Sequence, residues 1–188
     1  MDKQNKKKEY GKKESRGRAP REPQEFDQVV LDIARVARVV AGGRRFSFRA
    51  TVAIGDKKER VGVGVGKGAD VALAIGKATK QAKKNVMNVP MTQEKTLPYE
   101  TTGKQTSSVV LLKPGLPGRG IVAGGSVRTV CILAGYKDIT AKILSRSTNK
   151  LNNALATIDA LKKVKTDNKN KKEKIKPKDD KKITKNKS

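Results

Sequence analysis

VVAGGRRFSFRATVAIGD, residues 39–56, decides how the chain is read. Gly42 and Gly43 are followed at once by Arg44, Arg45 and Phe46. Phe48, Ala50, Val52 and Ile54 then alternate with period two, and Gly55-Asp56 closes the run with a turn signal. The alternation predicts a strand over Arg45 to Ile54. Gly55-Asp56-Lys57-Lys58 predicts a hairpin turn. A flexible backbone, two fixed cations and an aromatic just outside a strand suit a polyanion, with Arg44 and Arg45 at a loop tip making bidentate phosphate contacts.

On the near side, FDQVVLDIARVARVV (26–40) places Val30, Ile33 and Ala34 at helix-like spacing but is rich in valine. It predicts a short turn or helix followed by a strand over Ile33 to Val40. On the far side, Glu59 to Val65 predicts a third strand, with Val61, Val63 and Val65 on one face and Gly62, Gly64 and Gly66 on the other. Glycines weaken a strand, so a row of them implies that a helix or ligand backbone approaches closely. Asp70 is placed as an N-cap for a helix over Val71 to Val86. Its apolar stripe is Val71, Ile75, Ala78, Ala82 and Val86; the other faces carry Lys77, Lys80, Lys83 and Lys84.

Residues 87–103 read as a transition, with a domain boundary near Met91. A second unit follows: a strand over Thr106 to Leu112, a glycine- and proline-rich loop over Lys113 to Gly125 holding a short strand at Ile121–Ala123, and a helix at SVRTVCILAG. In that helix Ser126 is the expected N-cap and Gly135 the residue past the end. Ile139 to Leu144 predicts a strand. Ser147-Thr148-Asn149 offers caps for a last helix with Leu151, Leu155, Ile158 and Leu161 in one stripe. The expected organisation is a basic arm (1–25), a β-β-β-α unit (26–90), a linker that begins the second unit (91–105), a β-(β)-α-β-α unit (106–163) and a basic tail (164–188). Neither unit alone has much core, so the two should pack together or against a large partner.

The 188 residues carry 44 Lys+Arg against 18 Asp+Glu, a net charge of +26. Charge on this scale opposes compaction and calls for an anionic partner, nucleic acid before membrane because the arms lack aromatic anchors. Residues 1–25 hold 9 basic and 5 acidic groups, and 162–188 hold 13 and 4. No apolar run approaches the roughly 18 residues of a membrane span, and the N-terminus lacks the apolar segment of a secretory signal. One cysteine, Cys131, fits a reducing compartment and reads as a buried apolar-like residue. Histidine is absent, and with one cysteine this argues against a structural zinc site and leaves Cys131 with no histidine to activate it as a nucleophile. Asp56 and Glu59, flanking the hairpin turn, read as solvated charge.

VGVGVGKGAD (61–70) fails both glycine-rich nucleotide motifs. A Walker loop needs glycine where Val61 stands and Ser or Thr where Gly68 stands; the dinucleotide fingerprint needs glycine at Lys67 or Ala69. No cofactor is expected. The strand-to-helix context instead places Lys67 and the N–H groups of 68–72 near a helix N-terminus, which suits a backbone phosphate. The expected RNA-binding set is Ala41, Gly42, Gly43, Arg44, Arg45, Phe46, Arg49, Lys67, Lys77, Lys80, Lys83, Lys84 and Arg119. Few rings and no helix-turn-helix favour contacts to folded or duplex RNA over base stacking or DNA.

VVAGGRRFSFRATVAIGD, VGVGVGKGADVALAIGKATKQAKKNV, GRGIVAGGSVRTVCILAG and DITAKILSRSTNKLNNALATIDAL, in that order and spacing, resemble the family of the fifth protein of the bacterial small ribosomal subunit. The resemblance covers residues 26–163. It implies an α+β protein: an N-terminal three-stranded antiparallel sheet with one helix, like double-stranded-RNA-binding domains, plus a C-terminal α/β domain with a left-handed βαβ crossover. It implies a cytoplasmic structural protein of the 30S particle, neither enzyme nor homo-oligomer, which binds small-subunit rRNA, helps line the mRNA path and influences decoding accuracy. The fourth and eighth small-subunit proteins would be its neighbours, the fourth meeting Gly103 and the Pro114–Arg119 segment with Gly115 and Gly118. The loop matching Val40 to Phe46 is where changes in the family give spectinomycin resistance. This chain departs at Ala41 (usually lysine), Val63 (an aromatic), Ala72 (proline), Arg119 (threonine between two glycines) and Lys150 (proline after Asn149). A free duplex-RNA-binding factor or RNA chaperone is the alternative, needing only the first unit.

Overall fold

The computed structural model describes residues 25–164; the expected basic arms otherwise lie outside the described residues. Two residues assigned to those arms belong to the fold. Glu25 Oε1 accepts from Arg60 Nη2 at 3.0 Å, and Val164 is buried in the core.

The first sheet has the order β1-β2-β3-β4, all antiparallel: β1 (Asp27–Val40), β2 (Gly43–Gly55), β3 (Arg60–Gly68) and β4 (Met87–Asn88). The expected turn or helix before Ile33 does not form, and β1 is one strand. Its pairing with β2 shifts between Val30, opposite Val52, and Asp32, opposite Thr51, so Leu31 is an extra residue. Such a bulge breaks period two and mimics helical spacing, which is why Val30, Ile33 and Ala34 misled.

The β2–β3 turn is organised by Asp56, which is not simply solvated. Its Oδ1 accepts from the backbone N–H of Lys58, Glu59 and Arg60 at 2.9, 3.1 and 3.0 Å, and its Oδ2 from Arg60 Nε at 2.7 Å. Partial burial pushes the carboxyl up, but the Arg60 side chain and these three N–H groups together hold it well below the usual carboxylate range.

Helix α1 (Val71–Lys84) lies on one face of this sheet. Asp70 occupies the N-cap position without making a side-chain capping bond. The buried stripe is Ala74, Ala78 and Ala82, with Ile75 and Val86 half-buried beside it; Val71 stands at its margin. The glycines of β3 explain the closeness. A Cβ on Gly64 would overlap Ala82 N and Ala78 O, and one on Gly66 would overlap Ala74 O and Ala78 N. The expected close helix backbone is α1.

The second sheet has the order β5-β6-β8-β7: β5 (Thr101–Gln105), β6 (Ser108–Pro114), β7 (Ile121–Val122) and β8 (Ile139–Ile143). Strand β5 falls in the stretch read as a transition, and Thr106, the expected start of a strand, is instead a turn residue at φ +54°. TTGKQ hides as a strand because it is polar and carries Gly103. Parallel β7 and β8 are joined through α2 (Gly125–Ala134) as a βαβ unit. That helix is capped by Gly124, so Ser126 lies within its first turn; Gly135, in the left-handed conformation, closes it as expected. Helix α3 (Lys150–Lys163) starts at Asn149, whose side chain accepts from Leu151 N and Asn152 N at 3.1 and 3.4 Å. Ile158 and Leu161 of its expected stripe are buried, whereas Leu151 and Leu155 are half-buried.

The two halves share one core. Ala53, Val61 and Val63, on the face of the first sheet turned away from α1, cluster with Val127, Val130, Leu133, Ala154 and Leu161 of the second half. Lys57 N donates to Leu133 O at 3.0 Å, tying the β2–β3 turn to the end of α2. Cys131 is buried there, and burial pushes its thiol up to about 12. It is inert packing.

Candidate nucleic-acid interface

Strand β3 pairs with β2 only as far as Phe48 opposite Gly68. Beyond that limit β1 and β2 continue alone as a two-stranded ribbon, down to Val40 opposite Gly43. The ribbon extends about 17 Å at roughly 3.3 Å per residue. Ala41 and Gly42 form its exposed tip. Gly43 follows at φ +123°, a conformation that side chains disfavour, with open space around it. The arginines expected on a loop therefore sit at the start of a strand, Arg44 opposite Val39 and Arg45 opposite Arg38.

Alternation then sorts the side chains. Ala50, Val52 and Ile54 pack with α1, so Arg44, Phe46 and Phe48 share that side. Phe46 is 50% exposed, with the Arg35 guanidinium 3.7 Å from its ring centroid. Arg45, Arg49 and Ala53 point the other way. Arg38 is directly opposite Arg45, and Lys67 directly opposite Arg49, which puts four cations on one face as two like-charge pairs. Directly opposed cations in a sheet cost stability unless an anion lies between them.

No acidic residue among the described ones is paired with any of the four. Among the described residues the ion pairs are Asp27–Lys57, Glu25–Arg60, Asp56–Arg60, Glu100–Lys113, Asp32–Lys150 and Asp159–Lys163. None involves the ribbon or α1. Helix α1 has no acidic residue, and its Lys77, Lys80, Lys83 and Lys84 are exposed on the side away from the sheet.

Not every expected residue joins this surface. Lys67 alternates with Gly66 and Gly68, which face α1, so its side chain projects from the opposite face, away from the α1 N-terminus. The phosphate pocket expected from Lys67 with the N–H groups of 68–72 is not assembled. Arg119 is exposed, but on the β6–β7 loop of the second half. There Arg119 N donates to Leu116 O at 3.1 Å across Pro117 and Gly118, with Gly118 at φ +82°, a proline–glycine turn. Gly120 N donates to Asp138 Oδ1 at 2.7 Å and pins the loop to β8.

Of the residues expected to meet a partner protein, Pro114 and Gly118 are exposed and Gly115 is half-buried against the Asp138–Ile139 backbone. Gly103 is different. It is buried in β5, where a Cβ would overlap Ala156 O and Ala160 N of α3, so the space a side chain would take is filled by the chain's own helix. Leu116, within the Pro114–Arg119 segment, is 71% exposed; Arg35 and Arg38 are the interface residues that the sequence reading does not single out. Counting outward from a two-residue turn at Ala41-Gly42 would have placed Arg38 opposite Arg45.

Comparison with known proteins agrees with this architecture. The family model described as "Ribosomal protein S5, N-terminal domain" matches residues 26–90, and "Ribosomal protein S5, C-terminal domain" matches 103–174. The chain is 47% identical over 142 residues to small ribosomal subunit protein uS5c of Rhodomonas salina, covering 76% of this chain and 84% of that one. It is 45% identical over 142 residues to uS5 of Synechococcus elongatus (76% and 78% covered), and 48% identical over 141 residues to uS5 of Thermotoga neapolitana (75% and 78%). With both domains matched and nearly half the residues shared across most of its length, the chain belongs to the ribosomal protein S5 family, a family of structural ribosomal proteins and not of enzymes.

Proposed function

We propose that this protein is a cytoplasmic structural constituent of the small ribosomal subunit that binds small-subunit rRNA through the β1–β2 ribbon, the Arg49–Lys67 pair and the lysine face of α1. The observation that carries the rRNA contact is the pair of like-charge cross-strand couples on one face, Arg38–Arg45 on the projecting ribbon and Arg49–Lys67 at its base, neither with an ion-pair partner among the described residues. A phosphate backbone supplies the missing counter-charge, and arginine forks match its geometry.

Within the same reading the protein lies beside the mRNA path, influences decoding accuracy, and meets the fourth and eighth small-subunit proteins, the fourth through the exposed Pro114–Arg119 loop. Gly103 supports that surface only indirectly, by letting α3 seat on β5.

Sedimentation of a lysate through sucrose in high-magnesium buffer tests the assignment. The protein should travel with the 30S fraction; a protein left at the top of the gradient would instead be a free duplex-RNA-binding factor. Arg44→Ala with Arg45→Ala should then weaken rRNA binding and flatten its salt dependence, by about 0.9 in the log–log slope for each duplex phosphate that the variant no longer neutralises. An unchanged slope would remove these arginines from the phosphate backbone.

A further inference from the structure

Away from the ribbon, the two halves leave a cleft of about 620 Å3 between the start of β1, the N-terminus of α2 and the β8–α3 loop. That volume falls within the roughly 300–1,000 Å3 of small-ligand sites. Val30, Leu31 and Ile143 give the cleft an apolar wall, Leu31 being the extra residue of the β1 bulge. Gly125, Ser126, Arg146 and Asn153 supply polar groups. We propose that the cleft holds one ribonucleotide: its phosphate at the N-terminus of α2 beside Arg146, a sugar hydroxyl donating to Asn153 Oδ1, and its base on the apolar wall.

The helix end and the arginine define the phosphate position. Arg128 N donates to Gly124 O at 2.7 Å and begins the helical ladder. The N–H groups of Gly125, Ser126 and Val127 precede it and have no carbonyl within the helix. The Gly124 cap has no side chain to satisfy them, and the first turn holds no acidic residue, so an anion is favoured there. Arg146 is exposed and makes no ion pair among the described residues, whereas Lys150 is held by Asp32 at 3.1 Å. One uncommitted guanidinium beside one helix end suits a single phosphate rather than a row of them.

Asn153 independently calls for a ligand, and for one that is more than an anion. It is 4% exposed, and its Nδ2 donates to Ser147 O at 3.1 Å, which fixes how the amide is turned. Its Oδ1 is buried with no hydrogen-bond partner. A buried acceptor left unsatisfied is costly, and what it lacks is a donor, which a bare phosphate dianion does not offer and a ribose hydroxyl does. A free mononucleotide and a nucleotide within an RNA chain present the same groups, so the proposal does not rest on the contact between ribbon and rRNA.

The test is an NMR titration of the full chain at about 0.15 M salt, where non-specific attraction to this cationic protein is screened. The amide resonances of Gly125 and Ser126 are followed with inorganic phosphate, adenosine monophosphate and a tetranucleotide of RNA as separate probes. Both amides should show saturable shifts, with the monophosphate binding about tenfold more tightly than inorganic phosphate. Ser126→Asp and, separately, Arg146→Ala should each weaken that binding by about tenfold or more. Aspartate in the first turn favours the helix, so the first variant keeps its fold. A tetranucleotide that binds these amides more tightly than the monophosphate supports the site with an RNA chain as the source; one that binds no more tightly supports it with a free nucleotide. Inorganic phosphate binding as tightly as the monophosphate would overturn the proposal, as would affinity unchanged in both variants, or shifts that spread over Lys77 to Lys84 without saturating at Gly125 and Ser126. Sedimentation with small subunits is a separate measurement, so failure here leaves the family role standing.

Discussion

At one end of β2, residues Ala50 to Ile54 are buried, with α1 on one face and the second half of the chain on the other. At the other end of the same strand, Gly43 to Phe46 are exposed, and neither α1 nor the second half of the chain covers them. Hydrogen-bonded pairing with β1 is common to both ends, so the ladder does not make the difference. Side-chain volume does so at the buried end, where alanine, valine and the facing glycines of β3 set how closely α1 approaches. Charge does so at the free end, where cations oppose cations. One strand pair thus separates stability from binding along its length, and substitutions should report on one or the other according to where they fall.

The largest expected effect is at the buried end. Gly64→Val places a side chain where the α1 backbone runs, and the helix must lift from the sheet. Chemical denaturation should show a loss of about 3 kcal/mol or more, or no folded protein. Parent-like stability would mean that α1 does not need the close approach, and would break the comparison.

An intermediate effect is expected at the β2–β3 turn. Asp56→Asn keeps an oxygen for the backbone N–H groups but loses the charge that strengthens them and the pair with Arg60, for about 1–2 kcal/mol. Because the folded-state carboxyl titrates below its ordinary value, its contribution is complete above the unfolded value of about 3.9 and is lost as pH falls through the lowered one. Urea titrations should show a constant gap between parent and variant from about pH 7 to pH 5, narrowing below about pH 4. A gap that widens on acidification would contradict the role given to Asp56.

The smallest stability effect belongs to the free end. Arg38→Ala with Arg45→Ala removes a directly opposed like-charge pair, so the isolated protein should change by no more than about 0.5 kcal/mol, and upward. Binding to rRNA should weaken in the same variant. A loss of more than about 1 kcal/mol in the free protein would give these arginines a folding role and blur the separation.

Much of this was readable beforehand. The alternation of Phe48 to Ile54, the turn at Gly55-Asp56, the α1 stripe and the caps Asn149 and Gly135 are each patterns within a few residues. The misreadings share a cause, since each depends on something distant in the chain. Leu31 is a bulge only relative to β2. Thr101–Gln105 is a strand because β6 pairs with it and α3 covers it, and its own composition argues against one. At the candidate interface the sequence shows the glycines, Arg44, Arg45 and Phe46, but not Arg35 and Arg38, which join it only through their pairing with β2, opposite Phe48 and Arg45.

The sequence by itself determined that an excess of cations surrounds two small α+β units, that no catalytic constellation is present, and where most turns and helices begin. Those properties follow from composition and from propensities that act over one or two turns of chain. Only the tertiary structure decided that Arg44 and Arg45 look in opposite directions onto different neighbours, that Lys67 turns away from α1, and that Gly103 lies under α3. It also decided that Ala53, Val61 and Val63 join the two halves in one core. The reason is physical: strand register and domain docking are set by contacts between residues far apart in the chain, and no local period records which residue will face which.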